Sequence, residues 1–83
     1  MHYVYVLKSL KDNSLYIGYT TDLKRRVFEH NNGLSLSTKY KRPYKLIFYE
    51  GFLVRIDAKH REIYLKSGWG LRTLKKLLKR TLV

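Results

Sequence analysis

The chain opens on alternating aromatic and β-branched positions. His2 to Lys8 (HYVYVLK) predicts a strand, and after the polar stretch Ser9–Ser14 the run Leu15–Tyr19 (LYIGY) predicts a second. So short a polar connection makes the pair a hairpin. If Ser9 pairs with Ser14 across a four-residue loop, Leu7 falls opposite Tyr16 and Tyr5 opposite Gly18. Tyr5 and Tyr16 then lie on one face of the sheet.

The period changes at Asp22. Thr20, Thr21 and Asp22 offer capping oxygens ahead of Leu23, and Asn31-Asn32-Gly33 supplies a stop, which predicts a helix over 22–31. Leu34 to Pro43 is polar and reads as a loop, Tyr44 to Phe52 as a third strand, and Asp57 to Lys66 as a second helix ended by Ser67-Gly68. Leu71, Leu74, Leu77 and Leu78 predict a final helix with one apolar face and lysines and arginines on the other. The order ββαβαα with short connections predicts a single small α/β (α+β) domain over 1–83: a three-stranded, mostly antiparallel sheet flanked by helices.

Charge changes the picture from a generic small domain to one with a polyanionic partner. Eighteen Lys and Arg against six Asp and Glu leave a net +12 on 83 residues. No acidic residue follows Glu62, whereas Lys66, Arg72, Lys75, Lys76, Lys79 and Arg80 all do. Solubility needs much less charge than this, and a field of this sign draws nucleic acid ahead of an anionic membrane surface. No cysteine is present, so neither disulfides nor thiolate metal sites contribute. The first apolar run is too short for a signal peptide or membrane span, so a cytoplasmic location is expected.

Polar residues at core-facing positions carry the candidate chemistry. On the first helix Leu23 and Val27 mark the buried stripe, His30 falls beside it and Arg26 at its edge, while Lys24, Arg25 and Glu29 point away. Phe28 also points outward and calls for cover from a neighbouring loop. On the second helix Glu62 sits between Ala58 and Leu65 on the apolar stripe. A carboxylate there needs a cation or a metal, with Arg61 as the plain structural partner. Tyr5 and Tyr16 are equally compatible with simple packing. Taken together, however, the two tyrosines, Arg26, His30 and Glu62 are expected to meet in one cleft.

These positions also form a recognisable set. Tyr3-Val4-Tyr5, Tyr16-Ile17-Gly18, Asp22 to Arg26, Glu29-His30-Asn31 and the helix AKHREIYLK resemble, in order and spacing, the GIY-YIG nuclease family, in its short single-domain bacterial branch. The resemblance implies roles for Tyr5 and Tyr16 as motif tyrosines, Arg26 as the helix arginine, His30 as the polar residue one turn on, and Glu62 as metal ligand. The sequence departs from the pattern at Tyr3, which stands where the first motif has glycine. Tyr19 stands where the repair branch has lysine, and the late asparagine of some members has no counterpart.

The expected activity is Mg²⁺- or Mn²⁺-dependent endonucleolytic cleavage of a phosphodiester bond. One inward carboxylate suits a single hard ion held also by waters and substrate phosphate, whereas a two-metal site wants several bridging carboxylates. His2, His30 and His60 lack zinc-ligand spacing. Tyr5 or Tyr16 would deprotonate the attacking water. A phenol of ordinary pKa about 10 is ionised in roughly one molecule per thousand at neutral pH, so Arg26, a charged His30 or the metal must assist. Arg26 would stabilise the phosphate, and Arg25, Lys39, Arg42, Lys75, Lys76 and Lys79 are further expected phosphate contacts. DNA is the expected substrate ahead of RNA, no membrane partner is expected, and sequence selectivity is expected to be low or supplied by a protein partner. The alternative is a catalytically weak or inactive nucleic-acid-binding module on the same scaffold. A structural RNA-binding protein of the ribosomal type fits the charge but not the inward Glu62.

Overall fold

A computed structural model describes all residues, 1–83. β1 (His2–Ser9) and β2 (Leu15–Thr20) pair antiparallel with Tyr5 opposite Gly18 and Leu7 opposite Tyr16, the register expected from the sequence. Ser9 and Ser14 close the turn through a 2.8 Å backbone hydrogen bond, and Asn13 takes the left-handed conformation at φ 63°. The remaining elements are α1 (Leu23–Asn31), β3 (Tyr44–Phe52), α2 (Arg55–Lys66) and α3 (Gly68–Leu77), so the order ββαβαα holds. The loop before β3 also carries a short 3-10 turn, Lys39–Lys41. The sheet is antiparallel throughout, in the order β2-β1-β3, so β1 is central.

Alternation along β1 divides the molecule into two layers. Val4 and Val6 face Ile17, Ala58, Leu65, Leu74 and Leu78 in the larger core, which puts α2 and α3 on one side of the sheet. Tyr5 and Leu7 face the other way, onto Tyr16, Leu23, Val27 and Tyr44, under α1. The end of α1 is fastened to the start of β3 by the Asn31 amide, which donates to the Tyr44 carbonyl at 3.1 Å and accepts from the Tyr44 N–H at 2.6 Å. Asp22 caps α1 by accepting from the Arg25 N–H at 3.1 Å. α1 is thereby held at both ends, and the side chains on its inner face have fixed positions.

Three sequence expectations change. Leu71 and Leu77 do not join the α3 core stripe: Leu74 and Leu78 alone are buried, because the helix rests on α2 and the sheet along a narrow line. Phe28 has no loop over it and is 62% exposed. α2 begins at Arg55 rather than Asp57, with no side-chain cap.

Candidate active site

β1, β2, α1 and the loop ahead of β3 each bring a polar group to the α1 face of the sheet. The Tyr5 hydroxyl lies 2.7 Å from His30 Nε2, and His30 Nδ1 lies 2.7 Å from the Thr38 hydroxyl, both bonds being buried. The Tyr16 ring stacks at an angle on the same imidazole, with centroids 5.0 Å apart, and the Tyr5 and Tyr16 rings are 6.4 Å apart. Gly18 is required here: a Cβ on it would collide with the Tyr5 hydroxyl oxygen, so Tyr5 can cross β2 only above a residue with no side chain.

Burial sets the protonation states. It pushes the Tyr5 hydroxyl up to about 12, against the pull of the neighbouring Arg26 guanidinium and with smaller upward pushes from Tyr16 and Glu62. Burial, reinforced by the Arg26 charge, lowers His30 to about 4. The imidazole is therefore neutral near pH 7 rather than charged. A neutral ring has one donor and one acceptor nitrogen, which are divided between Tyr5 and Thr38.

Arg26 is at the edge of this group, with its Nη1 donating to Glu29 Oε1 at 3.0 Å and its Nη2 to the Ser35 hydroxyl at 3.5 Å. Arg25 approaches the other Glu29 oxygen at 3.4 Å. The two guanidinium groups hold the Glu29 carboxyl below the usual range, with the Arg26 hydrogen bond as the main cause.

Glu62, expected to meet the other four residues in one cleft, makes no hydrogen bond or ion pair with any of them and belongs to the other side of the sheet. It is 8% exposed on α2, which packs on the opposite side of the sheet from Tyr5 and Tyr16. Its carboxylate stands at the β2 edge, because its partner Lys59 also lies 4.7 Å over the Tyr19 ring. Arg61 is not its counter-ion, since that guanidinium turns to β3 and binds Glu50 at 2.7 and 3.3 Å. Instead, Lys59 Nζ holds Glu62 Oε1 and Lys66 Nζ holds Oε2, each at 3.0 Å. Desolvation raises the Glu62 pKa, but the two ammonium groups outweigh it and keep the carboxyl below its ordinary value. No three His, Cys, Asp or Glu side chains gather as a ready metal cluster. Glu62 offers one carboxylate, the least that a hard ion held otherwise by waters and substrate phosphate requires. The buried carboxylate already receives positive charge on both oxygens, and Lys59 and Lys66, 39% and 53% exposed, have solvent to swing into.

Lys59 and Lys66 were legible in the sequence as i−3 and i+4 neighbours of Glu62, as was Glu29 at i+3 from Arg26. Thr38 and Ser35, both buried, were hidden in a loop without periodicity. The cations expected to contact phosphate lie on two sides of the sheet. Arg25, Arg26, Lys39 and Arg42 come from α1 and the adjoining loop, and Lys75, Lys76 and Lys79 from the α3 end of the chain in the opposite layer. Arg42 is tied to the Lys39 carbonyl at 2.9 Å.

This is an α+β domain with helices on both faces of its sheet and a tyrosine–histidine–arginine group on one of them, and the sequence matches the GIY-YIG catalytic domain over residues 1–73. The chain belongs to the GIY-YIG family, whose members are generally nucleases. It is 48% identical over 67 residues to the UPF0213 protein YazA of Bacillus subtilis, covering 80% of this chain and 67% of that one. It is 42% identical over 67 residues to the UPF0213 protein SSP2268 of Staphylococcus saprophyticus, covering 80% of each. The solution NMR structure of the UPF0213 protein BH0048 from Bacillus halodurans has the same fold, with a TM-score of 0.56 and 37% identity over 92% of this chain and 83% of that one. No helix is long and apolar enough to cross a membrane.

Proposed function

We propose that this domain is a divalent-metal-dependent endonuclease that hydrolyses a phosphodiester bond, with DNA as the preferred substrate. The observation that carries the proposal is the buried Tyr5–His30–Thr38 line with Tyr16 against the imidazole and Arg26 at its rim. A buried network satisfied at both imidazole nitrogens fixes its members in one arrangement, which is what a site that must hold a phenol and a guanidinium in place requires.

The two tyrosines divide the work. Tyr5 is 1% exposed, its hydroxyl is engaged by His30, and at about 12 it stays a neutral phenol. Its role is positioning, with its ring over Gly18 and its hydroxyl beside Arg26. Tyr16 is half-buried and its hydroxyl has no hydrogen-bond partner in the chain, so it is free to take a water. In its phenolate form it accepts the proton of the attacking water. The oxygen forms the new bond to phosphorus while the P–O bond to the leaving nucleoside breaks, and that oxygen takes a proton from solvent. Arg26 binds the scissile phosphate and carries its developing charge, exchanging Glu29 for it. Glu62 would hold the Mg²⁺ or Mn²⁺ ion, for which Lys59 and Lys66 would have to leave its oxygens. The ion when bound supplies Lewis-acid charge to the phosphoryl oxygens and the leaving group.

One observation favours the weaker alternative of a binding module. Arg26 and Glu62 already have internal ion partners, Glu29 for the first and Lys59 and Lys66 for the second, which substrate and metal must displace. Labelled single-stranded, duplex and branched DNA and RNA incubated with Mg²⁺, Mn²⁺ or EDTA separate the two. Metal-dependent nicking is expected, strongest on DNA. Salt-sensitive binding of every substrate without cleavage of any would establish the binding module instead.

A further inference from the structure

The corner where α2 meets α3 has a feature that the cleavage chemistry does not use. Trp69, the single tryptophan of the chain, is 70% exposed on the first turn of α3 and belongs to neither core. An indole left in water on an 83-residue domain forfeits the largest apolar burial any side chain offers. Its backbone is nonetheless rigidly placed. Ser67 caps α3 by accepting from the Gly70 N–H at 3.1 Å, and Gly70 is pressed so closely onto the last turn of α2 that a Cβ would collide with the Tyr64 carbonyl oxygen. Thr73 donates to the Trp69 carbonyl at 3.1 Å and is hydrogen-bonded to the Tyr64 hydroxyl at 2.7 Å, which holds a second exposed aromatic one turn away.

The charge around this ring selects its partner. The Arg72 guanidinium lies 5.0 Å over the indole. Arg72, Lys75, Lys76, Lys79 and Arg80 make no ion pair, and no acidic residue follows Glu62 to neutralise them. A partner for this surface must bring negative charge at regular intervals together with flat aromatic faces. Single-stranded nucleic acid has both, whereas a duplex buries its base faces in its own stack.

We infer that Trp69, with Arg72 over its ring and Lys76 two turns on along the same helix face, is a stacking platform for an unpaired base of a single-stranded nucleic acid. The inference rests on the nucleic-acid reading above and adds a substrate class to it: strands with an unpaired segment, such as flaps or frayed ends. The platform is in the α2–α3 layer and the tyrosine–histidine group in the α1 layer. A strand engaged at both therefore passes around the domain rather than lying along one face.

The single tryptophan makes the test direct. Unlabelled oligothymidylate, an abasic oligomer of equal phosphate number and a duplex are titrated into the intact chain while Trp69 emission is recorded, with anisotropy of labelled copies reporting binding. Oligothymidylate is expected to quench most of the emission at saturation, and the abasic oligomer and duplex to leave it nearly unchanged although they bind. Trp69→Ala is expected to weaken oligothymidylate binding roughly 5- to 100-fold, with Trp69→Phe recovering part of the loss and duplex affinity unaltered. Equal quenching by the abasic oligomer, or binding of oligothymidylate without quenching, overturns the platform while leaving nucleic-acid binding intact. The second of those results would leave the indole to a protein partner. No anisotropy change with any of the three overturns the platform and the nucleic-acid reading together.

Discussion

The Tyr5 hydroxyl and His30 Nε2 lie 2.7 Å apart where solvent does not reach, so α1 is tied at this point to the central strand of the sheet. Tyr5, Tyr16 and Tyr44 face the imidazole from the strands, Thr38 from the loop, and Arg26 and Glu29 act on it from its own helix. With the folded-state pKa lowered from 6.5 to about 4, the unfolded chain binds a proton at pH values where the folded chain does not. Stability from this group is therefore fully present above about 6.5 and is lost as pH falls towards about 4, by on the order of 3 kcal/mol. Denaturant unfolding between pH 7 and 5, above the range of the paired carboxylates, is expected to show this slope in the natural chain and a much smaller one in His30→Gln. Equal slopes in the two would mean that His30 is already charged in the fold.

The division of labour between the tyrosines has separate signatures. Tyr16→Phe is expected to keep the melting temperature within a few degrees and to reduce cleavage at least a hundredfold, since only a solvent-facing hydroxyl is removed. Tyr5→Phe leaves a buried imidazole nitrogen without its partner and is expected to cost about 1–3 kcal/mol of stability. Its residual cleavage should exceed that of Tyr16→Phe. The reverse ranking, measured on the same substrate, would assign the base to Tyr5.

Gly18→Ala tests the packing that places Tyr5. The new methyl would occupy space now held by the Tyr5 ring, which is itself enclosed and has nowhere to retreat. A stability loss of about 1–3 kcal/mol is expected, together with a cleavage defect similar to that of Tyr5→Phe. A variant with unchanged melting temperature and activity would show that the ring does not lie over Gly18.

The sheet and its register were legible from side-chain period alone. Tyr5 opposite Gly18 follows from counting back from a turn closed by Ser9 and Ser14, and β3 matches its expected limits of Tyr44 and Phe52. Less legible was anything that depends on how the layers face each other. The 3.6 period marks Glu62 as inward, but inward on α2 means towards Val4 and Val6, the sheet face opposite Tyr5. For the same reason Arg61 was misassigned. Adjacent positions on a helix diverge by 100°, so a neighbour in sequence is a poor ion partner, and Lys59 and Lys66 at i−3 and i+4 occupy the reachable positions. Thr38 and Ser35 belong to a loop whose path is set by tertiary contacts to His30 and Arg26, and no periodicity announces such contacts.

Binding is expected to be dominated by counterion release. Six phosphate contacts to a duplex give a log–log salt slope of about −5, and Lys75, Lys76 and Lys79 replaced together by alanine should flatten it by up to about 2.7 if all three touch phosphate. Because these residues lie in the opposite layer from Tyr16 and Arg26, cleavage at saturating substrate should be unaffected. An unchanged slope would confine the contacts to the α1 face.

The central claim, that Glu62 is a metal ligand rather than a structural ion, is tested most directly by Glu62→Gln, assayed for nicking with Mg²⁺ and for thermal unfolding. The amide keeps the side-chain volume, and the lysines it releases are 39% and 53% exposed and regain hydration at little cost. Metal-dependent nicking is expected to fall at least a hundredfold. The melting temperature should move by no more than a few degrees, and affinity measured in EDTA should hold or rise as a negative charge leaves the region that receives phosphate. Nicking at the rate of the natural chain, accompanied by a large loss of thermal stability, would show that Glu62 serves only to anchor Lys59 and Lys66.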